Sequence, residues 1–509
     1  MIKKHSVFII LSAVFLISVF IRLNQITPTV KSHEQTYILT LQTSEIWRNS
    51  GMLNCHLTPM WTYGNPGDKY IAYYKRLEDS KGDNYYVSFP PLSFIVAHLA
   101  LYPFNIEYGK LVLQILNLLL HFLSAFTIYL IICSLCKQRS DKLFLPAFIS
   151  FIVYSFLPVM LFFHTDIFFP EMLGQVLWIV SIYFVLKYKD NKNAESFFTL
   201  FFVLFLFLYS EWIAVFFVIT LCIYLFFSKK EKTNKLILIT SITALFSAGF
   251  IMFIQYSSIA GISEMLHSMG LRFLERSGFF GQKYSSMGVH ILSLGSLKLF
   301  AFNLNKALTI FGYLIIVISL LLFFKKDNSV LTSDIKFVLV LSIFPILIHW
   351  IAFFNANAIH LLLMSRIAVP ISILTGVILY SLMCKYKNNL YFKILTFFII
   401  IFFTVYSAFL YKKKFTFCEN YPDLRVIAET IKKTAKPDQS VFITCNTDIL
   451  EAEKYLTFIT KRNIVKVSNN ENVKEFMKKV NKKEDAIVFH INDKEIKSEV
   501  LFFNACNKN

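Results

Sequence analysis

Charge is what this sequence has least of. Only 16% of its 509 residues are Asp, Glu, Lys or Arg, while 56% are hydrophobic; soluble domains carry about 25% charged residues. That balance excludes an ordinary soluble protein. A bilayer is crossed by about 20 apolar residues, and segments of that kind recur along the whole chain. Acidic residues are the scarcer sign, 32 against 51 basic ones, for a formal net charge of +19. In a soluble protein such an excess would point to nucleic acid. Here Lys and Arg lie mostly in short loops between apolar segments and in the C-terminal tail, so they are read as topology determinants and no nucleic-acid partner is expected. A signal-peptide cleavage site is missing as well: the first apolar run is followed by Phe20-Ile21-Arg22-Leu23-Asn24, with no small-x-small pattern, and is expected to stay as the first span. The 8 cysteines are scattered. Cys133 and Cys136 have C-x-x-C spacing but no second pair, which argues against a zinc or redox centre; a disulfide involving Cys55 or a tail cysteine is left open. No Gly-rich loop follows any strand-like run, which excludes the usual phosphate cradle of nucleotide-binding folds. No internal repeat or low-complexity tract stands out.

What the chain does contain is a series of spans that basic flanks thread across the membrane. With Lys3 and Lys4 on the cytoplasmic side, the first span, about 7–23, delivers a long polar loop, residues 33–91, to the outside. Residues 90–104 are apolar but too short to cross and return, and read as a re-entrant or interfacial helix. Spans follow at about 110–136, 143–163 and 172–186. As one helix, residues 197–227 would measure about 46 Å, too long for a hydrocarbon core of about 30 Å. Both flanks are basic, so a hairpin of two short spans is expected, turning at Ser210-Glu211-Trp212. The remaining spans fall at 236–257, 303–324, 335–354, 359–384 and 391–411, with a second outer loop at 259–300. The expected fold class is therefore a polytopic α-helical membrane protein with about eleven transmembrane helices, residues 1–411, placed in a bacterial inner or plasma membrane. Lys412, Lys413 and Lys414 fall on the outer side, against the charge rule.

The tail, residues 415–509, alternates differently. Strand-like runs at 440–445, 463–467 and 485–490 are separated by helical stretches near 448–458 and 472–480, with another before them at 423–433. That βαβαβ order predicts a small α/β domain with a parallel sheet, on the extracytoplasmic side with the long loops.

Carboxylates able to do chemistry sit at the outer ends of spans or in outer loops: Glu34, Glu45, Asp166, Glu171, Glu211, Glu264 and Glu275. Basic candidates on the same face are His33, His164, His267, Arg272, Arg276, His360 and Arg366. Arg366 lies inside the tenth span, where an unpaired charge is costly and a function is the default hypothesis; the bland account is that it snorkels to the interface. His360, six residues earlier, could join it in holding a phosphate, since Arg offers a planar fork of donors and His a further one. His164, Asp166 and Glu171 flank one outer junction, where a solvated turn capping the next helix is the plain alternative. His121, His349 and Asn117 lie inside spans and read as packing or interhelical hydrogen-bond residues.

These residues carry a resemblance. A first span, a large outer loop with an acidic residue near its start (His33-Glu34, then Tyr37), a Phe89-Pro90-Pro91-Leu92 close, and a short acidic outer loop after span three resemble the GT-C glycosyltransferases. Closest is the branch of dolichyl-phosphate-mannose protein mannosyltransferases and bacterial aminoarabinose-type transferases. The likeness covers about 1–411, and its motifs are loose. That branch usually reads Asp-Glu where this chain has His33-Glu34, so Glu34 inherits the acidic position and His33 does not. The resemblance implies transfer of a sugar from a polyprenyl-phosphate carrier to an extracytoplasmic acceptor (lipid, glycan or protein), usually with inversion. Glu34 is then the candidate base, with Asp166 and Glu171 completing the catalytic set. His33, Tyr37, His164, Arg272, Arg276, His360 and Arg366 are the candidate substrate contacts. Polyprenyl phosphate is a good leaving group that needs positive charge more than an acid, and one carboxylate suffices to deprotonate the acceptor hydroxyl. Membrane lipid is the other expected partner. No cofactor and no metal ligand set are required, with a divalent ion left open. A soluble nucleotide-sugar donor would need a cytoplasmic globular domain, and none is found. Three readings compete, one of them a non-catalytic membrane subunit. A transporter or flippase would show charged or broken helices near the midplane and a two-fold repeat of spans, and a polymerase or ligase of lipid-linked glycans would share the same setting.

Overall fold

Apolar runs of this length have one open solution in lipid. With no water to take up backbone N–H and C=O groups, a single segment satisfies them as a helix. The computed structural model describes residues 4–27, 35–65, 68–69, 77–136, 144–166, 168–228, 232–279, 293–323, 332–386, 389–414, 424–445, 452–479, 485–492 and 495–501. In chain order its elements are α1 (Lys4–Arg22), α2 (Gln35–Ser50), β1 (Leu77–Glu78), β2 (Asn84–Tyr85), α3 (Leu92–Leu101), α4 (Gly109–Leu135), α5 (Phe144–Phe156), α6 (Pro158–Asp166), α7 (Pro170–Asp190), α8 (Ala194–Leu208), α9 (Ile213–Phe227), α10 (Lys232–Ser277), α11 (Leu294–Phe323) and α12 (Ser333–Ala352). There follow α13 (Phe354–Ile359), α14 (Leu361–Met364), α15 (Ala368–Lys385), α16 (Leu390–Lys414), α17 (Leu424–Thr434), β3 (Ser440–Cys445), α18 (Ala452–Thr460), β4 (Ile464–Lys466), α19 (Asn470–Lys479), β5 (Ala486–Asn492) and β6 (Glu495–Leu501).

Among the described residues, 8 helices are long and apolar enough to cross a membrane. The pair α5 and α6 makes a ninth if it is one span bent by 58°. The bend falls at Pro158, which has no N–H to continue the ladder of α5. The two 15-residue apolar helices α8 and α9 are the expected hairpin. Counted with the bent pair, they bring the total to the eleven expected. This is an integral membrane protein of polytopic helical architecture with a small C-terminal sheet.

The chain divides into two compact units. The first comprises residues 1–26, 114–252 and 270–416. Within it α15 packs on α5, α11 and α12, α7 on α8, α9 on α12, and α16 on α5 and α6. Trp178 of α7 donates to the Leu341 carbonyl of α12 at 3.1 Å, which fixes α7 against its neighbour. Two expectations are corrected here and a third is refined. Residues 164–166 are the buried last turn of α6, not a solvated loop, because α6 is covered along its whole length. The outer loop expected at 259–300 is helical up to Ser277 and again from Leu294, since its charged residues ride on helices; residues 280–292 lie outside the described residues. The tenth span, Leu361–Lys385, contains Arg366 as expected, and tightens there into a 3-10 turn, Ser365–Ile367, between α14 and α15.

The second unit comprises residues 27–113, 253–269 and 417–509. Here the polar loop holds a helix the sequence did not announce. α2 is buried over most of its length, with Tyr37, Ile38, Leu41 and Trp47 almost wholly covered, and it packs on α3 and on α18 of the tail. α10 contributes Phe253–Met269, breaking at Gly261 (φ 84°, ψ 168°), a conformation open to glycine. The tail sheet has the order β4-β3-β5-β6. β3 pairs in parallel with β4 and β5, as the βαβαβ pattern predicts, and α19 lays Val473 and Met477 on Phe442, Val465 and Val488. The antiparallel β6 (Ile487↔Val500) is an addition; its alternating Lys497 and Glu499 suit an edge strand. The tail meets residues 45–68 through polar contacts. Arg462 Nε donates to Asp68 at 3.1 Å. The Asn463 amide exchanges bonds of 2.9 Å with the Tyr63 backbone and donates to Asp68 Oδ1 at 2.9 Å. Glu45 accepts from the Tyr63 hydroxyl at 2.8 Å and from Lys461. Burial pushes the Asp68 carboxyl up, against the opposing pull of Arg462 and Asn463. Cys55 is a buried free thiol, raised to about 11 by burial and by Asp83 and Asp79.

Candidate functional site

The first turns of α7 gather the chemistry of the first unit. Pro170 at its start leaves the N–H it lacks among those a helix N-terminus cannot pair anyway, and Glu171 follows where the dipole favours a carboxylate. Glu171, Gly174 and Gln175, at i, i+3 and i+4, share one face. Glu171 is buried, and its Oε2 has no hydrogen-bond partner among the described residues. Gly174 is where the α8–α9 turn approaches: a Cβ there would stand 2.7 Å from Cβ and 3.0 Å from Cγ of Glu211. Only a residue without a side chain lets Glu211 in.

Glu211 makes two kinds of contact. Its Oε2 accepts from the backbone N–H of Ile213 at 3.1 Å, capping α9, and its Oε1 accepts from Nη2 of Arg366 at 2.7 Å. Both side chains of this pair are buried, 2% and 1% exposed. The other arm of the fork, Nη1, lies 2.8 Å from Nε2 of His349, and Asn357 stands 3.0 Å from the opposite ring nitrogen. Gln175 donates to the Tyr154 hydroxyl at 3.0 Å and accepts from Ser365 at 3.4 Å, so α5, α7 and the turn carrying Arg366 are bonded in one chain. Arg276, half-buried near the end of α10, adds a second positive charge close enough to act on Glu171, Glu211 and His349. The cluster thus sets two carboxylates against two guanidiniums in a low-dielectric setting, with one carboxylate oxygen unsatisfied.

Set against the sequence, the cluster unites Glu171, Arg366 and Arg276 with Glu211, an acidic candidate outside the chosen set, and His349, which had read as a packing or hydrogen-bonding residue. The guanidinium of Arg366 is neither snorkelling nor uncompensated: Glu211 pairs with it from 155 residues away. No local pattern reveals such a partner. Arg272 is half-buried and pairs with Glu275 at 3.0 Å. His360 is exposed at the N-terminus of α14, unlike the buried Arg366. His164 and Asp166 are buried in α6, the former stacked on His121 with ring centroids 4.6 Å apart. Tyr37, in the second unit, is buried on α2 with the Lys110 ammonium 6.0 Å over its ring. His33 and Glu34 lie outside the described residues. Among the described residues, no group of three or more His, Cys, Asp and Glu is placed to hold a metal ion.

No protein-family model matches the sequence, and no curated protein does so either. Solved structures do match in fold. The apo oligosaccharyltransferase of Archaeoglobus fulgidus superposes with a TM-score of 0.62 at 12% identity, over 95% of this chain and 70% of that one. The same enzyme tethered to an acceptor peptide containing the NVT sequon gives 0.58 at 12% identity, over 95% and 69%. ArnT from Cupriavidus metallidurans bound to undecaprenyl phosphate gives 0.59 at 10% identity, over 96% and 94%. At such low identity what is shared is the architecture, and it is shared over nearly the whole chain: this protein has the fold of the GT-C membrane glycosyltransferases.

Proposed function

We propose that the protein is a membrane glycosyltransferase that moves a sugar from a polyprenyl-phosphate carrier to an acceptor hydroxyl on the extracytoplasmic side, with inversion. The observation that carries this reading is Glu171: a buried carboxylate with an unpartnered oxygen, beside the Glu211–Arg366 pair, in a chain whose fold is that of a transferase bound to undecaprenyl phosphate. In the reaction the acceptor oxygen attacks the anomeric carbon and the bond from that carbon to the phosphate oxygen breaks. The carrier leaves with the bonding electrons, and the acceptor proton passes to a carboxylate.

Glu34 is assigned that base role by its place after the first span and its likeness to the family's acidic position. Glu171 and Asp166 are assigned to the catalytic set beside it, and Glu171 has the free oxygen to orient a hydroxyl. Arg366, with both arms of its fork engaged, holds Glu211 in place beside Glu171. Arg276 and Arg272, near the end of α10, and His360, at the exposed N-terminus of α14, are assigned to supply positive charge and hydrogen bonds to the donor phosphate. His33, Tyr37 and His164 are assigned to substrate contact.

The test is transfer by the purified full chain in lipid nanodiscs, supplied with radiolabelled polyprenyl-phosphate sugars and a panel of lipid and protein acceptors. Label should move to an acceptor. Glu34→Gln and Glu171→Gln keep shape and hydrogen bonding while removing charge, and the one that is the base should lose about 10²–10⁴ in rate. Translocation of label across proteoliposomes with no transfer to any acceptor would replace this reading with a transporter.

A further inference from the structure

The first helix ends on a charge that nothing around it cancels. Arg22 lies in the last turn of α1 and is fully buried. Its Nε donates to the Ser18 carbonyl at 2.9 Å, its Nη2 to the Ser18 hydroxyl at 2.9 Å, and its Nη1 to Nδ1 of His121 at 3.1 Å. The guanidinium carbon stands 5.6 Å over the ring of Phe15. Every one of these groups is neutral. A guanidinium has five N–H donors, and these bonds use three of them. No carboxylate among the described residues pairs with Arg22. Asp166 acts on Tyr411, whose hydroxyl is committed to Gln25 at 2.6 Å. The C-terminal dipole of α1 and the face of Phe15 return only a fraction of what burying an unpaired ion takes away, and a charge held in a span has a function by default.

The second observation stands beside the first. The His121 ring stacks on His164, with centroids 4.6 Å apart and planes 12° from parallel. His121 is fully engaged: Nδ1 accepts from Arg22, and Nε2 faces the Tyr154 carbonyl at 3.4 Å. His164 is the reverse, fully buried in α6 with neither ring nitrogen in a well-formed hydrogen bond to a described residue, the Asn117 backbone being the polar group near enough to act on it. An imidazole with a free N–H, next to a cation with spare donors, offers positive charge and hydrogen bonds to a negative group.

We propose that Arg22 and His164, with His121 as the positioning residue between them, form an anion site that takes a phosphate monoester dianion. This rests on the polyprenyl-phosphate reading and gives it a place for the leaving group. When the sugar bond breaks, a phosphodiester carrying one negative charge becomes a monoester carrying nearly two, and a site offering uncancelled positive charge favours the broken state. Arg22, whose charge is not already met by a carboxylate as that of Arg366 is, suits this role. A polyprenyl-phosphate headgroup and free inorganic phosphate present the same chemistry.

The experiment measures retention of radiolabelled undecaprenyl phosphate by the purified full chain in detergent, with undecaprenol as the neutral control. Arg22→Gln and His164→Ala should each weaken retention of the phosphorylated lipid at least tenfold, leaving undecaprenol unaffected. Displacement of the label by inorganic phosphate would identify a site for phosphate itself, and displacement by undecaprenyl phosphate alone a site for the headgroup. Should Arg22→Gln fail to fold, Arg22→Lys keeps the charge without the fork and should still bind several-fold more weakly than the wild type. Without lipid, Arg22→Met should melt at a higher temperature than the wild type and gain nothing from added undecaprenyl phosphate. Retention by the Arg22 variants within twofold of wild type would overturn the site while leaving the transferase reading intact. A wild type that neither retains the lipid nor transfers sugar is a failure of that reading instead.

Discussion

Glu211 and Arg366 are each costly alone and tolerable together. Removing one partner of a buried ion pair typically costs about 3–5 kcal/mol, because the other charge is left unmet, whereas replacing both by apolar groups is often neutral or stabilising. Glu211→Leu and Arg366→Met should therefore each lower the melting temperature in detergent by several degrees, and the double variant should recover most of that loss. Additive losses would show that the pair contributes no coupling. Gly174 gives a second expectation. Alanine there improves helix propensity by about 1 kcal/mol, but its Cβ would stand 2.7 Å from Cβ of Glu211, and overpacking of this kind costs about 1–3 kcal/mol. The backbone of the α8–α9 turn has to give way, so Gly174→Ala should lose both stability and transfer activity. A variant as stable and active as wild type would mean that the turn moves freely.

Elements were more legible in the sequence than the contacts between them. The 197–227 hairpin follows from one length argument and two basic flanks, and the three parallel tail strands follow from apolar runs separated by amphipathic helices. α2 was hidden because its residues are only moderately apolar, and their burial comes from α3 and α18. β6 was hidden because its charges mark an edge. Of the site, the residue types and the α7 start were readable. Their pairing was not, since Glu211, His349 and Arg366 converge through the packing of α7, α9, α12 and the 3-10 turn of the tenth span. The pairing of the tail with residues 45–68 makes its own prediction. Burial raises the Asp68 carboxyl above its usual value, so the folded state holds that proton more tightly than the unfolded one. The stability due to Asp68 is then greatest below about pH 3.8, the value of a free aspartate carboxyl, and falls as pH rises through the raised value. Urea titrations at several pH values should show wild type losing ground to Asp68→Asn as pH is raised across that window. The opposite trend would mean that Arg462 outweighs burial.

At the scale of the whole molecule, the proposed orientation puts residues 33–91 and the tail outside and the basic loops inside. Cysteine introduced at the exposed Ser80 or Ser468 in a cysteine-free background should react with an impermeant maleimide added to intact cells, and cysteine at the exposed Asn191 should react only after lysis. Labelling at Asn191 in intact cells, with none at the other two, would invert the topology.

The bonds between Tyr63 and Asn463 span 400 residues of chain, which sets an order of events during synthesis. At roughly 5–20 residues per second, Asn463 leaves the ribosome about 20–80 s after Tyr63. Throughout that interval α2 has no α18 to lie against, and Asp68 has no Arg462, although the early spans are already in the bilayer. The start of the chain therefore waits for its end, and whatever shelters the apolar face of α2 in the meantime is part of how this protein matures.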